Sequence, residues 1–259
     1  MDYIHYIKSY INYIIRARHF RGDGVHSPFV FHLINNVFCE KNAYYAYRKM
    51  EKIRDTLLCN DTEIEIKDFG TGASGKRKIS DIAHKSLKNR KYAQLLFRLV
   101  NETKPQTILE LGTSLGLTTM YLAASNTQLR CITLEGCPET AGFAKNIFKK
   151  NKFTNIETHC GNIDNILPLS LSEVEKLDFV FFDANHQKEA TLRYFAQCVE
   201  KAGEKTVFVF DDIYWSHGMT EAWQEIKTNP KVRVSIDIFE MGIIFFDPEL
   251  QKGNYRIRF

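Results

Sequence analysis

A doubly wound α/β fold, with a mostly parallel seven-stranded sheet, a C-terminal antiparallel strand and an N-terminal helical cap, is predicted by three observations. From Thr107 onward, short apolar runs alternate with amphipathic stretches of helical length over short connections, the rhythm of βαβ units. A glycine turn, Gly112 to Gly116, separates the first of these strands from its helix. Two late strand-like runs, Val232 to Ile236 and Gly242 to Phe246, have no helix between them, so they are expected to pair antiparallel.

Ile4, Ile7, Ile11, Ile14 and Ile15 recur at spacings of three and four, which predicts an opening amphipathic helix with one sticky face. That face calls for cover by its own domain, by a second subunit in a homodimer through the N-terminal helices, or by a membrane surface. The run Arg21-Gly-Asp-Gly-Val-His-Ser-Pro28 breaks the helix, and helical patterning resumes from Phe31 to Leu58. Ile64 to Phe69 alternates like an exposed strand, and Gly70, Gly72 and Gly75 follow in a basic loop ending at Lys78. This second glycine loop lacks a following strand that ends in an acid, so it reads either as a mobile lid or as a plain surface loop.

A helix from Tyr92 to Val100 leads into the sheet, whose strands are expected at 107–111, 131–134, 156–159, 178–182 and 206–210 before the two late ones. Helices are expected up to Ala124, from Pro138 to Asn151, from Lys188 to Lys201 and from Met219 to Lys227. The natural division is a helical cap over 1–90, including the glycine loop, and a sheet-bearing domain over 91–259.

The balance of 35 Lys+Arg against 31 Asp+Glu leaves a formal charge of +4, too little to argue a nucleic-acid partner. The six cysteines form no C-x-x-C pair and read as reduced thiols. Met1 to Phe20 carries Asp2, Lys8, Arg16 and Arg18, which fits neither a signal peptide nor a membrane span, so a cytoplasmic location is expected.

Glu110-Leu-Gly112-Thr-Ser-Leu-Gly116 places glycines where a strand turns into a helix and a ligand can approach the backbone. A dinucleotide site of the form Gly-x-Gly-x-x-Gly would want glycine where Ser114 stands, which disfavours NAD. Glu135 ends the next strand, where its carboxylate can accept both hydroxyls of a ribose or cap the helix that follows. An adenosine ligand fits better than a phosphate-rich one.

Ile108-Leu-Glu-Leu-Gly-Thr-Ser-Leu-Gly-Leu-Thr-Thr-Met-Tyr-Leu-Ala123 resembles the first motif of class I S-adenosylmethionine-dependent methyltransferases, especially small-molecule O-methyltransferases similar to catechol O-methyltransferase. The resemblance runs from about Tyr92 to Pro248 and implies a Rossmann-like fold, with residues 91–259 as the methyltransferase domain. It implies that Glu110, Gly112, Thr113, Ser114 and Gly116 line the methionine and ribose of the cofactor, that Glu135 binds the ribose, and that Gly161-Asn162 flanks the adenine. Asp183 is expected to border the same ligand.

Asp183, Asp211 and Asp212 follow the ends of expected strands, on the rim where open α/β sheets bind ligands. Three such oxygen donors can hold Mg2+ or another divalent cation, which would acidify an acceptor hydroxyl. In the resembling enzymes the ligands are an Asp on one strand and an Asp-Asn pair on the next; Asp183 and Asp211 match, and Asp212 departs from the asparagine. Phe-Phe-Asp183-Ala-Asn-His186 also resembles a bacterial group with Asp-x-x-His here, which makes His186 a candidate base beside Asp183 and Asp211, with His217 as another. Tyr214 and Trp215 either wall an acceptor or cover the core.

The expected function is methyl transfer to an oxygen or nitrogen of a small acceptor. A methyltransferase acting on a macromolecule and a non-catalytic adenosine-binding or dimerisation module are the alternatives.

Overall fold

Helix α1 (Tyr3–Arg16) starts where the Asp2 carboxylate accepts from the His5 N–H at 3.1 Å, the usual satisfaction of a free helical donor. The structure is a computed structural model that describes residues 2–18, 20–67 and 74–259. Helix α2 (Pro28–Leu33) is capped by Ser27 with proline at its first position, and it continues as a π-helical turn over Ile34–Phe38. Helix α3 (Tyr45–Leu58) follows, so the helical stretch expected from Phe31 to Leu58 is interrupted.

Strands β1 (Glu63–Lys67) and β2 (Ser74–Lys78) form an antiparallel hairpin in register Glu63↔Lys78. The basic segment expected as loop is therefore partly strand, with Gly75 opposite Ile66. The rest of the expected lid, including Gly70 and Gly72, lies outside the described residues.

The remaining elements are α4 (Ile79–Ser86), α5 (Arg90–Thr103), β3 (Thr107–Leu111), α6 (Leu117–Ala123), β4 (Arg130–Glu135), α7 (Pro138–Lys150), β5 (Ile156–Cys160), α8 (Ile163–Ser172), β6 (Leu177–Phe182), α9 (Lys188–Val199), β7 (Ala202–Asp211), α10 (His217–Thr228), β8 (Val234–Asp237), β9 (Met241–Phe245) and β10 (Gly253–Arg256). The large sheet is mixed and mostly parallel, with eight strands where seven were expected. The addition is β10, which pairs parallel to β8. Helices α4 and α8 were not foreseen.

Two compact units divide the chain, one of Asn42–Val174 and one of Met1–Lys41 with Glu175–Phe259. In the first, β3, β4 and β5 run parallel, Leu109 facing Ile132 and Leu134 facing His159. Met50 and Leu57 of α3, Ile79 of α4, Phe97 of α5, Tyr121 of α6 and Phe148 of α7 share one core. Tyr121 donates to Glu51 at 2.6 Å, and Arg54 and Arg90 hold the other Glu51 oxygen at 3.1 and 2.6 Å. This network fixes α3 against α6 around a carboxylate whose pKa is lowered: burial raises it, but the hydrogen bonds from Tyr121 and Arg90 and the arginine charges outweigh that.

In the second unit β6 and β7 are parallel, β9 lies antiparallel to β7, and β8 lies antiparallel to β9, as the missing helix between them requires. Phe182 stacks on Phe210 at 4.3 Å, and Trp223 of α10 is fully buried against Gly242, where a Cβ would come within 2.7 Å of the indole. Helix α1 docks here through His5, which meets Thr220 at 2.9 Å, through Tyr6, which donates to Glu240 at 2.7 Å, and through Tyr13, which donates to the Ile257 carbonyl at 2.5 Å. The isoleucine face expected to be the sticky one is not the docked face: Ile4, Ile7, Ile11 and Ile15 are exposed. No helix among the described residues is long and apolar enough to cross a membrane, and all six cysteines are unbridged.

Leu57 is fully buried in the core shared by α3 to α7, so Leu57→Ala is expected to destabilise the chain by about 2–5 kcal/mol in urea unfolding. A loss below about 1 kcal/mol would mean that this core does not hold the first unit together.

Candidate functional site

The cradle begins where β3 runs out at Leu111. Gly112, Ser114 and Gly116 take positive φ values of 100°, 48° and 78°, which folds the chain back on itself before α6. A Cβ on Gly116 would stand 2.4 Å from the Phe148 ring, so glycine is required for space as well as for conformation. The Gly112 and Thr113 N–H groups donate to the Leu134 carbonyl at 2.9 and 3.2 Å, tying the loop to the end of β4.

Glu135 closes the same corner. Its two oxygens accept from the Ser114 N–H at 2.8 Å and from the Cys137 N–H at 2.9 Å, and the Gly161 N–H donates to its carbonyl at 2.9 Å. Thus Ser114, Glu135 and Gly161, far apart in sequence, are brought together by direct bonds. Gly161 has φ 151°, and Asn162 caps α8 by accepting from Asp164 N–H at 3.0 Å. The carboxylate fastens the loop and the entrance of α7 as well as bordering the cradle. The Cys137 thiol reaches the Glu65 carbonyl of β1 at 3.6 Å, so the hairpin stands at this corner too.

Glu110 lies beneath the loop with no exposure. One oxygen accepts from Thr119 and, at 2.6 Å, from Thr133, and the Thr113 and Thr133 hydroxyls are 2.6 Å apart. The other oxygen is buried without a hydrogen-bond partner among the described residues. Residues the sequence reading did not single out complete the cradle: Thr119 and Thr133, signalled only as hydroxyls inside apolar runs, and Ser86 of the unforeseen α4, whose Oγ is 3.0 Å from that of Ser114. Positive-φ glycines and an acid held in place by two N–H groups fit a ligand with a ribose.

In the other unit Asp183 follows β6 and Asp211 ends β7, one step beyond the Phe182–Phe210 pair. Asp211 is 1% exposed, whereas Asp212 turns through φ 52° while its N–H donates to the Glu240 carbonyl at 2.7 Å. His186 Nε2 stands 3.7 Å from Asp183 Oδ1 and 3.9 Å from Asp212 Oδ2, and its ring lies 5.9 Å from Trp215. An imidazole between two carboxylates is suited to accept a proton, since both would stabilise the imidazolium. His217 instead opens α10 with its ring 3.9 Å from that of His5. Tyr214 belongs to the core: it donates to Asp237 at 2.5 Å and stacks on Phe239, and burial pushes its pKa up.

Among the described residues, the acid and histidine atoms gathered within 4.8 Å of one another are those of Glu157, His159 and Glu173. There the Arg130 guanidinium already spans Glu157 at 2.7 Å and Glu173 at 3.2 Å. Asp183, Asp211 and Asp212 are not gathered in that way; a histidine, not a third carboxylate, stands between Asp183 and Asp212.

Burial raises the pKa of Glu110 from 4.5 to about 8, against the hydrogen bonds from Thr119 and Thr133 that lower it. Below about pH 4.5 this carboxyl is protonated in both folded and unfolded chains; from there to about pH 8 only the unfolded chain ionises, so stability falls as pH rises, then levels off. Glu110→Gln is expected to remove that fall, giving a melting temperature that gains on the parent between those limits. Parallel pH profiles would show that Glu110 is ionised in the folded chain.

Residues 109–213 match the family described as Methyltransferase domain. The O-methyltransferase imqG of Aspergillus flavus is 31% identical over 111 residues, which cover 40% of this chain and 44% of that protein, so the chain spans less than half the length of this relative. The SAH-bound methyltransferase of Podospora anserina shares the fold with a TM-score of 0.60 at 16% identity, over 81% of this chain and 92% of that one. The O-methyltransferase of tomaymycin synthesis from Streptomyces achromogenes, solved with SAM, gives a TM-score of 0.58 at 17% identity over 79% and 91%. The glycine loop and the acid that fastens it lie within the stretch that matches the methyltransferase-domain model, and the solved likenesses show a fold shared with methyltransferases.

Proposed function

We propose that this chain transfers a methyl group from S-adenosylmethionine to a hydroxyl oxygen of a small molecule. The observation that carries the reading is the Glu135 carboxylate held at the glycine loop by Ser114 and Cys137. The O-methyltransferase names of the curated relative and of a solved neighbour support oxygen over nitrogen as acceptor atom. The weak net charge of +4 supports a small molecule over a nucleic acid. Unbridged cysteines, three of them exposed, support a cytoplasmic setting.

The loop from Gly112 to Gly116, with Glu110 beneath it, would hold the methionine and ribose portion, Glu135 the ribose hydroxyls, and Gly161 and Asn162 the adenine side. When bound, the cofactor supplies a methyl carbon made electrophilic by a positive sulfur. His186 takes the acceptor proton at Nε2, and Asp183 and Asp212, at 3.7 and 3.9 Å, stabilise the charge it gains. Asp211, buried at the end of β7, positions the turn that carries Asp212. The second reading, in which Asp183, Asp211 and Asp212 hold Mg2+ and His186 is dispensable, is separated from the first by a chelator.

Calorimetric titration is expected to show binding of S-adenosylmethionine and S-adenosylhomocysteine but not NAD, with Glu135→Ala weakening Kd at least tenfold. NAD binding without S-adenosylmethionine binding would sink the proposal. With an acceptor found by screening phenols and other hydroxyl compounds against methyl-labelled cofactor, turnover is expected to survive chelator and to fall at least a hundredfold in His186→Ala. Loss in chelator with recovery on added Mg2+ would give the rim to a metal instead.

A further inference from the structure

Helix α1 has two faces, and among the described residues the contacts that fasten it lie on one of them. His5, Tyr6 and Tyr13 fasten it to Thr220, Glu240 and the Ile257 carbonyl, and Tyr6 and Tyr13 pack on the Phe239 ring at 5.0 and 5.3 Å. The opposite face presents Tyr3 at 72%, Ile4 at 69%, Ile7 at 56%, Ile11 at 54% and Ile15 at 73% exposure. Isolated exposed apolar residues are ordinary, but a continuous stripe of this length on one helix calls for a partner.

The spacing of the stripe says which partner. Ile4, Ile7, Ile11 and Ile14 follow the three-four-three rhythm of a coiled-coil seam. The pattern is also a palindrome about Ser9: Ile4 mirrors Ile14, Ile7 mirrors Ile11, and Tyr3 mirrors Ile15. A twofold axis across an antiparallel pair of such helices would set each residue against its mirror mate, which is the requirement of a self-complementary interface. Antiparallel helices also oppose their macrodipoles favourably. The four exposed isoleucines and Tyr3 are the surface that such a seam would cover. A membrane surface is the poorer match, because the helix carries only Lys8 and Arg16 as cations, whereas anionic lipid attracts clusters of about four to eight.

We propose that this chain forms a twofold dimer in which α1 packs antiparallel on α1 of a second copy, Ile7 of one meeting Ile11 of the other. The assembly does not depend on the methyltransferase reading. Sedimentation velocity of the full chain at about 50 µM, within the range a standard-size interface supports, is expected to give twice the 30.1 kDa chain mass. The exposed double substitution Ile7→Glu with Ile11→Glu is expected to raise the dimer Kd more than tenfold while the melting temperature stays that of the parent. Should that variant unfold, cross-linking decides: a mixture of Ile7→Cys and Ile11→Cys chains is expected to link faster than either alone, above the background of the native thiols. A monomeric parent at that concentration, a dimer indifferent to both substitutions, equal linking in all samples, or a monomer that instead pellets with phosphatidylserine-containing vesicles would overturn the proposal.

Discussion

The Glu135 carboxylate accepts from two backbone N–H groups, one in the loop after β3 and one at the mouth of α7, and much else at the cofactor corner follows from this arrangement. Charge-assisted bonds of this kind are about twice as strong as neutral ones. Because β3 and β4 are parallel neighbours, the acid at the end of one strand lies beside the glycine turn at the end of the other. The next strand joins through the Gly161 N–H on the Glu135 carbonyl, so three strand ends meet at one residue. A substitution at Glu135 would therefore disturb the loop as well as any contact with a ribose.

Beneath that corner the chemistry is reversed. Burial raises the pKa of Glu110 to about 8 against two threonine hydroxyls that lower it, and one of its oxygens has no hydrogen-bond partner among the described residues. A neutral acid under a glycine turn costs less than an ionised one in an apolar setting, and it leaves the polarity of the cradle to the surface carboxylate. In the other unit the arrangement differs again: half-buried His186 stands 3.7 Å from Asp183 and 3.9 Å from Asp212, and Asp212 lies in the left-handed region at φ 52°. An observed strained residue beside a titratable pair is a common mark of a working site.

Where the sequence was legible, the signals were local. The runs at 107–111 and 131–134 are apolar and end abruptly in a glycine turn and an acid, so strand, turn and candidate ligand could be read within a stretch of about 30 residues. Helix α8 was hidden because Pro168 sits inside it and its residues carry no clear apolar stripe. Strand β10 was hidden because Gly253 to Arg256 has no strand pattern of its own and exists by pairing with β8. The roles of the two histidines were also undecidable locally: His186 and His217 lie at similar offsets from strand ends, yet one faces Asp183 and Asp212 while the other stacks on His5.

By itself the sequence determined the alternation of strands and helices, the glycine turn and the acid at the end of β4, because each depends on backbone conformation or side-chain chemistry within one βα unit. The tertiary structure alone decided that Glu135 fastens the turn, that Glu110 is buried under it, and that Tyr214 belongs to the core. It also decided that α1 docks through histidine and tyrosines and leaves its isoleucines outside. A tyrosine hydroxyl or imidazole can reach an acceptor more than 200 positions away in the chain, as Tyr6 does with Glu240 and Tyr13 with Ile257, and no periodicity in the helix itself records where that acceptor will be.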